Sequence, residues 1–399
     1  MTKTAMKPNL NDAPTPSYTP PSTKPGPHVL RIRHALEAWH KTWSPRLTAP
    51  EQSKDDELGL SCLIGCSGGA DSLSLVGCAT KQGWSVHAVV IDHGLQEGSD
   101  GVAMRAAHVC QALGATSEVV KVRPREATEA AAREERYRAL GQIAQEHGGL
   151  PVLVAHTGDD QAESLFLGLA RGAGLGSIAG MPPILFHHPV VDAGATALGR
   201  PLLSIRRDNT LGACAELGIT PWHDPTNTSG DNLRSRVRTQ LIPQVRSVLG
   251  ADAVDNAITT SAMARTDHDY LAEQAAGALK ECERHGSEGA SLQGSARDTH
   301  HDFLPDSPGS TGLDVTTYLH QPQALRGRII KQWLHHRAGP LTRAHVKAID
   351  ALAAQWHGQG GVAIPWARTP APPGRLLVVR RHDELRLTVE VMRDPYRYG

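Results

Sequence analysis

The sequence has no long apolar run, and this absence excludes the simplest membrane architecture. None of its apolar stretches reaches the 18 residues that a membrane-spanning helix needs, so we expect no membrane partner. The first eight residues contain no apolar segment and therefore do not resemble a secretory signal. These two absences predict a cytoplasmic protein.

Cysteine is also sparse, and its spacing lacks the common metal and redox patterns. Six cysteines are scattered over 399 residues, with no Cys-x-x-Cys pair and no Cys/His spacing of the zinc-finger kind. Most of them stand in apolar surroundings. The pattern therefore indicates reduced, buried thiols in a cytoplasmic protein.

The chain also has no net charge, because 41 basic residues balance 41 acidic ones. For the chain as a whole, this balance argues against a nucleic-acid partner. The charge is nevertheless unevenly distributed, because residues 315–399 contain 13 basic and five acidic residues. This basic end is either an electrostatic footprint for RNA or an ordinary solvated surface.

What the sequence does contain is a glycine-rich turn between a strand and a helix. The apolar run Leu60–Ile64 predicts a buried strand, and apolar residues resume at helical spacing from Leu73. Between them lies Ser67-Gly68-Gly69-Ala70-Asp71-Ser72. Paired glycines let backbone N–H groups approach an anion, and the following helix directs its positive end into the same turn. This stretch predicts a phosphate site, although a plain glycine-rich turn would share its composition.

The turn is not a Walker A loop, because it has no lysine. It contains the carboxylate of Asp71 instead. A carboxylate beside phosphates would repel them unless a divalent cation lay between, so Asp71 predicts bound Mg²⁺.

Strands and helices alternate along the first half of the chain, which predicts an α/β fold. Further strands are expected at 86–91, 116–122 and 152–155, with helices at 101–113 and 128–147. The fold class is thus a parallel, doubly wound sheet followed by a smaller α+β domain. Ligands of such sheets bind at the carboxyl ends of strands. The glycine-rich turn, Asp92-His93 and His156–Glu163 all lie at such ends.

Acidic residues open the helix that follows the fourth strand. Asp159 and Asp160 could simply cap this helix. However, His156 precedes them by three residues, and Glu163 shares a helix face with Asp160. Four polar groups around one strand end make a cation site or an amine site the competing interpretation.

Several of these motifs together resemble those of one family. Ser-Gly-Gly-x-Asp-Ser resembles the PP-loop of the N-type ATP pyrophosphatases. His-x-x-Asp-Asp-x-x-Glu-Ser at 156–164, Leu-Ala-Arg-Gly at 169–172 and Asp-Pro-Thr-Asn at 224–227 resemble the tRNA(Ile)-lysidine synthase family. The resemblance covers residues 60–250, with the motifs in family order. Gln96 and Ser235 depart from the pattern, so either Arg234 or Arg236 matches the functional arginine of the family.

The resemblance implies ATP and Mg²⁺ as cofactors, and specific roles for residues of this chain. Residues implied in catalysis are Asp71, Asp160, Glu163, Arg133 and His156, with Asp71 and Asp160 as metal ligands and Glu163 for the amine of lysine. Residues implied in nucleotide binding are Ser67, Gly68, Gly69, Ala70, Asp71, Ser72, Asp92, His93, Arg171 and Gly172. Candidates for contacts to the substrate or to RNA are Asp159, Asn227, Arg234 and Arg236, unless these arginines form an ordinary solvated helix face.

The resemblance also implies a reaction and partners. Free L-lysine would be joined to carbon 2 of the wobble cytidine in isoleucine tRNA with a CAU anticodon, after ATP adenylates the base and pyrophosphate leaves. A homodimer is compatible with the sequence. The alternatives are a PP-loop tRNA thiolase, a small-molecule PP-loop enzyme and a non-catalytic RNA-binding protein.

Composition predicts the domain organisation. Residues 1–27 are rich in Pro, Thr and Ser and predict a disordered tail. We expect the catalytic domain at 28–235 and a tRNA-binding or substrate-binding domain at 236–399. Within the second domain, residues 286–312 predict a disordered insert, residues 318–336 and 342–355 two helices, and residues 376–391 a hairpin.

Overall fold

The computed structural model describes residues 15–21, 24, 26–47, 59–92, 94, 98–122, 128–172, 174–223, 232–284, 312–367 and 374–390. Contacts divide the chain into two compact units, residues 1–265 and 266–399. The division lies later than the predicted boundary after residue 235. The reason is that Val237, Ile242 and Val254 pack in one apolar cluster with Ala162 of the first unit.

The first unit alternates strands and helices as the sequence predicts. Its first half contains β1 (Ser17–Tyr18), α1 (Pro27–Leu47), β2 (Ser61–Cys66), α2 (Ala70–Lys81), β3 (Ser85–Asp92), α3 (Ser99–Ala112), β4 (Thr116–Lys121), α4 (Glu129–Glu146), β5 (Val152–Leu153) and α5 (Gly158–Arg171). Its second half contains α6 (Leu175–Ile178), β6 (Ile184–Leu185), α7 (Pro189–Asp192), β7 (Leu198–Gly199), α8 (Arg207–Leu217), β8 (Ile219–Thr220), α9 (Leu233–Arg236), the π-helix Val237–Leu241 and α10 (Ile242–Leu249).

Six of these strands form the central sheet, in the order β4-β3-β2-β5-β7-β6. All pairs are parallel except that of β6 with β7, which lies at the edge. The predicted doubly wound parallel sheet is therefore confirmed. The strand order reverses direction between β2 and β5, and such a switch point opens a crevice at the carboxyl ends of the two strands.

Apolar side chains cover both faces of the sheet. One cluster joins the sheet to α1, α2, α3 and α8, with Leu36, Leu75 and Leu202 among its fully buried members. The other joins it to α4 and α7 through Leu63 and Leu140. Because hydrophobic cover on two sides fixes the sheet, the loops at its carboxyl edge are held by a rigid scaffold.

The N-terminal segment differs from the predicted disordered tail over residues 1–27. Within it, Ser17 and Tyr18 form β1 and pair antiparallel with Thr220 and Ile219 of β8. Tyr18 also packs against the core. A proline-rich composition lowers the tendency to form helices, but it leaves extended backbone free to pair with an edge strand. The remainder of the prediction, for residues 1–14, lies outside the described residues.

The second unit contains an antiparallel sheet with helices, as the predicted α+β domain requires. Helix α11 (Ala253–Cys282) contains the division between the units. It is followed by β9 (Glu283–Arg284), β10 (Gly312–Asp314), α12 (Val315–His320), α13 (Gln323–Trp333), α14 (Arg343–Ala354), β11 (Val362–Ile364), β12 (Arg375–Arg381) and β13 (Glu384–Glu390). The sheet order is β11-β12-β13-β10-β9.

The helix predicted at 342–355 and the hairpin predicted at 376–391 are confirmed by α14 and by β12 and β13, but another helix prediction is not. The single helix expected at 318–336 is wrong, because α12 and α13 are separate helices divided at Gln321-Pro322. Proline has no N–H to donate and restricts the residue before it, so the helix stops there. The predicted insert at 286–312 lies outside the described residues except for Gly312, which begins β10. Among described helices, none is long and apolar enough to cross a membrane.

Candidate active site

The glycine-rich turn lies where β2 opens into α2, as predicted. The Ser72 hydroxyl accepts a hydrogen bond from the Ser67 backbone N–H at 3.1 Å and donates to the Gly69 carbonyl at 3.1 Å. The first N–H groups of α2 have no acceptor within their own helix, as in any helix. Together with the positive end of the helix dipole, they make the turn Ser67–Ser72 suited to an anion.

Gly68 is the one residue of this turn that needs to be glycine. Its φ of +79° lies in the left-handed region, and a Cβ there would stand 3.1 Å from the Ala106 Cβ and 3.3 Å from the Pro16 Cγ. The Gly68 carbonyl accepts from the Trp222 N–H at 2.9 Å. The turn is therefore held from outside by two segments that are distant in sequence.

Asp160 fixes the start of α5 on the other side of the switch point. Its Oδ2 accepts hydrogen bonds from the backbone N–H of Thr157 at 2.8 Å and from the Thr157 hydroxyl at 3.0 Å. Burial alone would raise the pKa of this carboxyl, but the nearby Arg207 and Arg234 guanidiniums and the Thr157 N–H oppose burial, and the pKa is lowered. Asp160 thus remains ionised with its Oδ1 facing the site.

Arg207 lies between Asp71 and Asp160 and joins them. Its Nε is 3.3 Å from Asp71 Oδ2, and its Nη2 is 3.4 Å from Asp160 Oδ1. The Thr210 hydroxyl also donates to Asp71 Oδ1. Burial raises the pKa of Asp71, against the opposing effects of Arg207 and Thr210. Two predicted site carboxylates, 89 positions apart in sequence, therefore face one cation position.

Glu163 lies one turn further along α5 and is fully buried. Its carboxylate accepts from Arg234 Nε at 2.8 Å and from Arg238 Nε at 2.6 Å, with Arg238 Nη2 at 3.1 Å. Arg238 belongs to the π-helix Val237–Leu241, between α9 and α10. Single π-turns occur often at functional sites. Here the π-turn contains Arg238 and follows α9, which contains Arg234, and both arginines contact the Glu163 carboxylate.

Asp159 faces a second arginine. Arg206 contacts both of its oxygens, with Nε at 3.1 Å and Nη2 at 2.9 Å, and the Arg207 backbone N–H donates to it at 2.7 Å. Burial would raise the pKa of Asp159, but these donors outweigh it and lower the pKa. Because Asp159 is engaged by a forked guanidinium, it holds the start of α8 against the start of α5.

His156 stands at the end of β5, next to these charges. Burial lowers its pKa to about 3, with Arg200, Arg133 and Arg234 adding to the effect and Asp160 opposing it. The imidazole is therefore neutral at pH 7. Its Nδ1 is buried and has no hydrogen-bond partner in the part of the chain that the structure describes. A buried orphaned nitrogen leaves a position for a polar group of a ligand.

Other predicted site residues lie around this cluster or apart from it. The Arg133 guanidinium donates to the Tyr137 hydroxyl at 3.0 Å. Asp92 is buried and accepts from Gly94 N–H at 2.9 Å and from the Ser99 hydroxyl at 2.7 Å, so it joins the end of β3 to Gly94 and to the start of α3. Arg236 is exposed, in contrast to its neighbour Arg234.

Arg171 and Gly172 lie at the far end of α5. With a rise of 1.5 Å per residue, the Arg171 Cα is about 17 Å along the helix from that of Asp160. Arg171 is exposed, and Gly172 ends the helix with a φ of +59°. The described contacts do not join them to the carboxylates, so their nucleotide role stays a prediction. His93 and Asn227 lie outside the described residues.

The predicted site residues do not include Arg206, Arg207 and Thr210, and no role was predicted for Arg238. One signal was present, because Arg206 and Arg207 stand at the start of α8. Cations are unfavourable near a helix N-terminus, so two consecutive arginines there require carboxylates nearby. Arg238, four residues after Arg234, shares its helical side.

An open cavity of about 360 Å³ adjoins the cluster. It is lined by Asp159, Glu163, Arg207, Arg238, Ile242, Pro243 and Arg246. Acidic groups from α5 face basic groups from α8 and the segment 237–246. The acidic wall of such a cavity can bind an ammonium group of a ligand, and the basic wall can bind a carboxylate or a phosphate.

A parallel sheet with a Ser-Gly-Gly phosphate turn and an acidic helix at its switch point defines a PP-loop protein, a class that uses ATP. Residues 47–245 match the PP-loop domain family, and residues 313–386 match the TilS substrate binding domain. The tRNA(Ile)-lysidine synthase of Rhodococcus erythropolis is 37% identical over 91% of this chain and 97% of its own length. That of Nocardia farcinica is 39% identical over 89% of this chain and 97% of its own length.

The chain belongs to the tRNA(Ile)-lysidine synthase family. The resemblance stated from the sequence is therefore confirmed. Among solved structures, a U34-tRNA thiolase from Methanococcus maripaludis aligns with a TM-score of 0.42 and 13% identity, covering 58% of this chain and 78% of that one. That likeness is too distant to support an inference.

Proposed function

We propose that this protein joins free L-lysine to carbon 2 of the wobble cytidine in isoleucine tRNA with a CAU anticodon, forming lysidine. ATP adenylates the carbonyl oxygen on carbon 2, and pyrophosphate is released. The ε-amine of lysine then attacks carbon 2, and AMP leaves with that oxygen. The observation that carries the proposal is similarity over 91% of the chain to the tRNA(Ile)-lysidine synthase of Rhodococcus erythropolis, together with intact motifs at the switch point.

The turn Ser67–Ser72 would hold the pyrophosphate part of ATP. Its remaining backbone N–H groups, the Ser67 hydroxyl and the N-terminus of α2 would supply donors without a lysine, while the Ser72 hydroxyl braces the turn. Donors fixed before the reaction stabilise the negative charge that develops on pyrophosphate as it leaves. His156, neutral and with an unpartnered Nδ1, is placed to hydrogen-bond the nucleotide or the base.

Mg²⁺ would be held by Asp71 and Asp160. Their Oδ2 and Oδ1 atoms approach the same guanidinium at 3.3 and 3.4 Å, so they already share one cation position. Carboxylate oxygens are the ligands that Mg²⁺ prefers, and the donor set therefore fits the ion. When bound, Mg²⁺ would supply positive charge against the phosphates. Arg207 would keep its bond to Asp159 through its backbone N–H while its side chain turns toward phosphate.

Lysine would enter the cavity beside Glu163. The ε-ammonium needs an anionic partner, and Glu163 and Asp159 supply carboxylates on the cavity wall. Glu163 is held by Arg234 and Arg238, so the ammonium would replace one of these guanidiniums. Arg246, on the opposite basic wall, would donate hydrogen bonds to the lysine carboxylate. A carboxylate that holds the ammonium can also take its proton before attack.

The second unit would bind the tRNA. The reaction would take place in the cytoplasm, where ATP and lysine are also present. Support comes from the match of residues 313–386 to a substrate-binding family and from the basic residues of 315–399. The target base must be turned out of the anticodon stack to reach the switch point, as is usual for chemistry on a base in a loop.

Incorporation of labelled lysine into total tRNA by the purified protein tests the proposal. We expect label in one tRNA species, dependent on ATP and Mg²⁺. Pyrophosphate release with tRNA but without label would redirect the assignment to another nucleophile, such as the sulfur of a thiolase. No nucleotide turnover would contradict the enzyme assignment. Light scattering on the same sample tests the homodimer that the sequence allows.

A further inference from the structure

A group of metal-binding side chains lies away from the active site, at the opposite end of the sheet. His87 stands near the start of β3, Glu118 lies on β4, and His147 follows the last residue of α4. One ligand atom from each residue can be chosen so that all three lie within 4.8 Å of one another. The active site uses the carboxyl ends of the strands, so this group has no part in the chemistry described above.

The hydrogen bonds of His87 allow one of its nitrogens to bind a metal. His87 Nδ1 is 2.8 Å from the Thr116 hydroxyl, which also lies 3.3 Å from the Val86 carbonyl; when Thr116 donates to that carbonyl, its oxygen accepts from His87 Nδ1. With its proton on Nδ1, the imidazole presents the lone pair of Nε2. This arrangement, in which a second partner orients the ring, is the usual one for histidine ligands of metals.

In this tautomer, two acceptors face each other across a short distance. His87 Nε2 and Glu118 Oε1 are 2.9 Å apart. A lone pair and a carboxylate at this separation need a cation between or beside them, either a proton or a metal ion. The third group, His147, has its ring centroid 4.2 Å from that of His87.

The surroundings favour the metal ion. His147 is exposed and caps the C-terminus of α4, where the helix dipole attracts positive charge. The side chains of His87 and Glu118 are 14% and 41% exposed, so an ion and a coordinating water have access. Ligand atoms of a tetrahedral zinc site lie about 3.3 Å apart, which small rotations of the exposed His147 and Glu118 side chains can reach.

We propose that His87, Glu118 and His147 bind a divalent transition-metal ion of the Zn²⁺ class. Two imidazoles and one carboxylate are ligands typical of such ions, with water in the fourth position. The ion would tie the start of β3 and β4 to the end of α4. It would thereby stabilise the catalytic unit without contacting substrate.

Titration of tag-free, reduced protein with Zn²⁺ against a chromophoric chelator tests this site. We expect one tight equivalent in the wild type, and at least about a tenfold loss of affinity in His147→Asn. This residue is exposed, so the variant should fold. His34→Asn removes an exposed histidine of the same unit outside the group and should leave the affinity unchanged. A tight equivalent that survives in His147→Asn would overturn the proposal.

Glu118→Gln provides a second, independent variant. The amide can still donate to His87 Nε2 but cannot supply an anionic ligand, so we again expect at least about a tenfold loss. Visible absorption of the Co²⁺-loaded protein gives a readout of ligand geometry, and its tetrahedral bands should be lost in both variants. If wild type and both variants bind Zn²⁺ equally, or if none binds it, the His87–Glu118 contact is an ordinary ion pair and the proposal fails.

Discussion

The two halves of the candidate active site are built by different means. In the phosphate turn Ser67–Ser72, the donors for an anion are backbone groups, a hydroxyl and a helix end that are adjacent in sequence, whereas the Asp71 carboxylate belongs to the cluster. The carboxylate–arginine cluster consists of side chains from α2, α5, α8 and the segment 233–246, and its ion pairs join residues up to 136 positions apart. The donors of the first half come from one short segment, which the Trp222 N–H helps to hold, whereas the second half depends on side chains from distant segments and on buried charge.

This difference predicts that single substitutions in the cluster have larger effects than those in the turn. For Asp71→Asn we expect ATP–pyrophosphate exchange in the presence of tRNA to fall on the order of 10³-fold. The variant loses one of the two carboxylates that we propose hold Mg²⁺ beside the phosphates. Asp208→Asn is the matched control, since Asp208 is an exposed acid in the first turn of α8 and should change exchange less than twofold. Equal losses in both variants would mean that charge at the helix ends, not the cluster, controls activity.

A second test compares two arginines that the sequence could not distinguish. Arg234 contacts Glu163 at 2.8 Å, whereas Arg236 is exposed. Lysine cannot reproduce the guanidinium contact, so we expect Arg234→Lys to lower lysine incorporation about 100-fold, or about 3 kcal/mol. Arg236→Lys should stay near wild type. If Arg236→Lys proves the more damaging variant, Arg236 is the functional arginine and contacts RNA.

The third test uses pH to measure burial next to the cluster. His156 has a folded pKa of about 3, so between pH 6.5 and 3 the unfolded chain binds a proton that the folded chain does not. Stability is therefore lost as the pH falls through this range. From pH 7 to 5 the loss assigned to His156 is about 2 kcal/mol.

Urea denaturation at both pH values, in wild type and in His156→Gln, measures this contribution. The variant should lose less stability on acidification than wild type. His187→Gln, at an exposed histidine, serves as the control and should follow wild type. An identical pH dependence in wild type and His156→Gln would show that His156 is solvated.

The smallest effect is expected in the phosphate turn. Gly68→Ala meets both a positive φ and a Cβ contact of 3.1 Å, while Gly83 has a φ of +88° and open space around it. Each alanine should cost about 1–2 kcal/mol of unfolding free energy from the left-handed backbone. Only Gly68→Ala should also raise the KM for ATP, because its methyl group displaces the turn. A raised KM in Gly83→Ala would argue against a local role for Gly68.

The sequence predicted the parts of the molecule that rest on short-range patterns. The α/β alternation, the sheet type and the start of α2 followed from apolar spacing and glycine, and Asp71, Asp160 and Glu163 from residue type at strand ends. The ion pairs of Arg206, Arg207 and Arg238 could not be predicted, because these three side chains come close to α5 only in the folded protein. β1 was missed for the same reason, since its partner β8 lies about 200 residues later.

The position of Pro16 and Trp222 around Gly68 also bears on how the turn forms during synthesis. Pro16 precedes β1, which pairs with β8, and Trp222 donates to the Gly68 carbonyl, so both contacts require residues near 220. A ribosome adds about 5–20 residues per second, so these residues emerge on the order of 10 s after the turn itself. The nascent chain thus carries an unfinished phosphate turn until most of the first unit has been translated. We therefore expect the proposed ATP site to form late in synthesis, when the catalytic unit can fold as a whole.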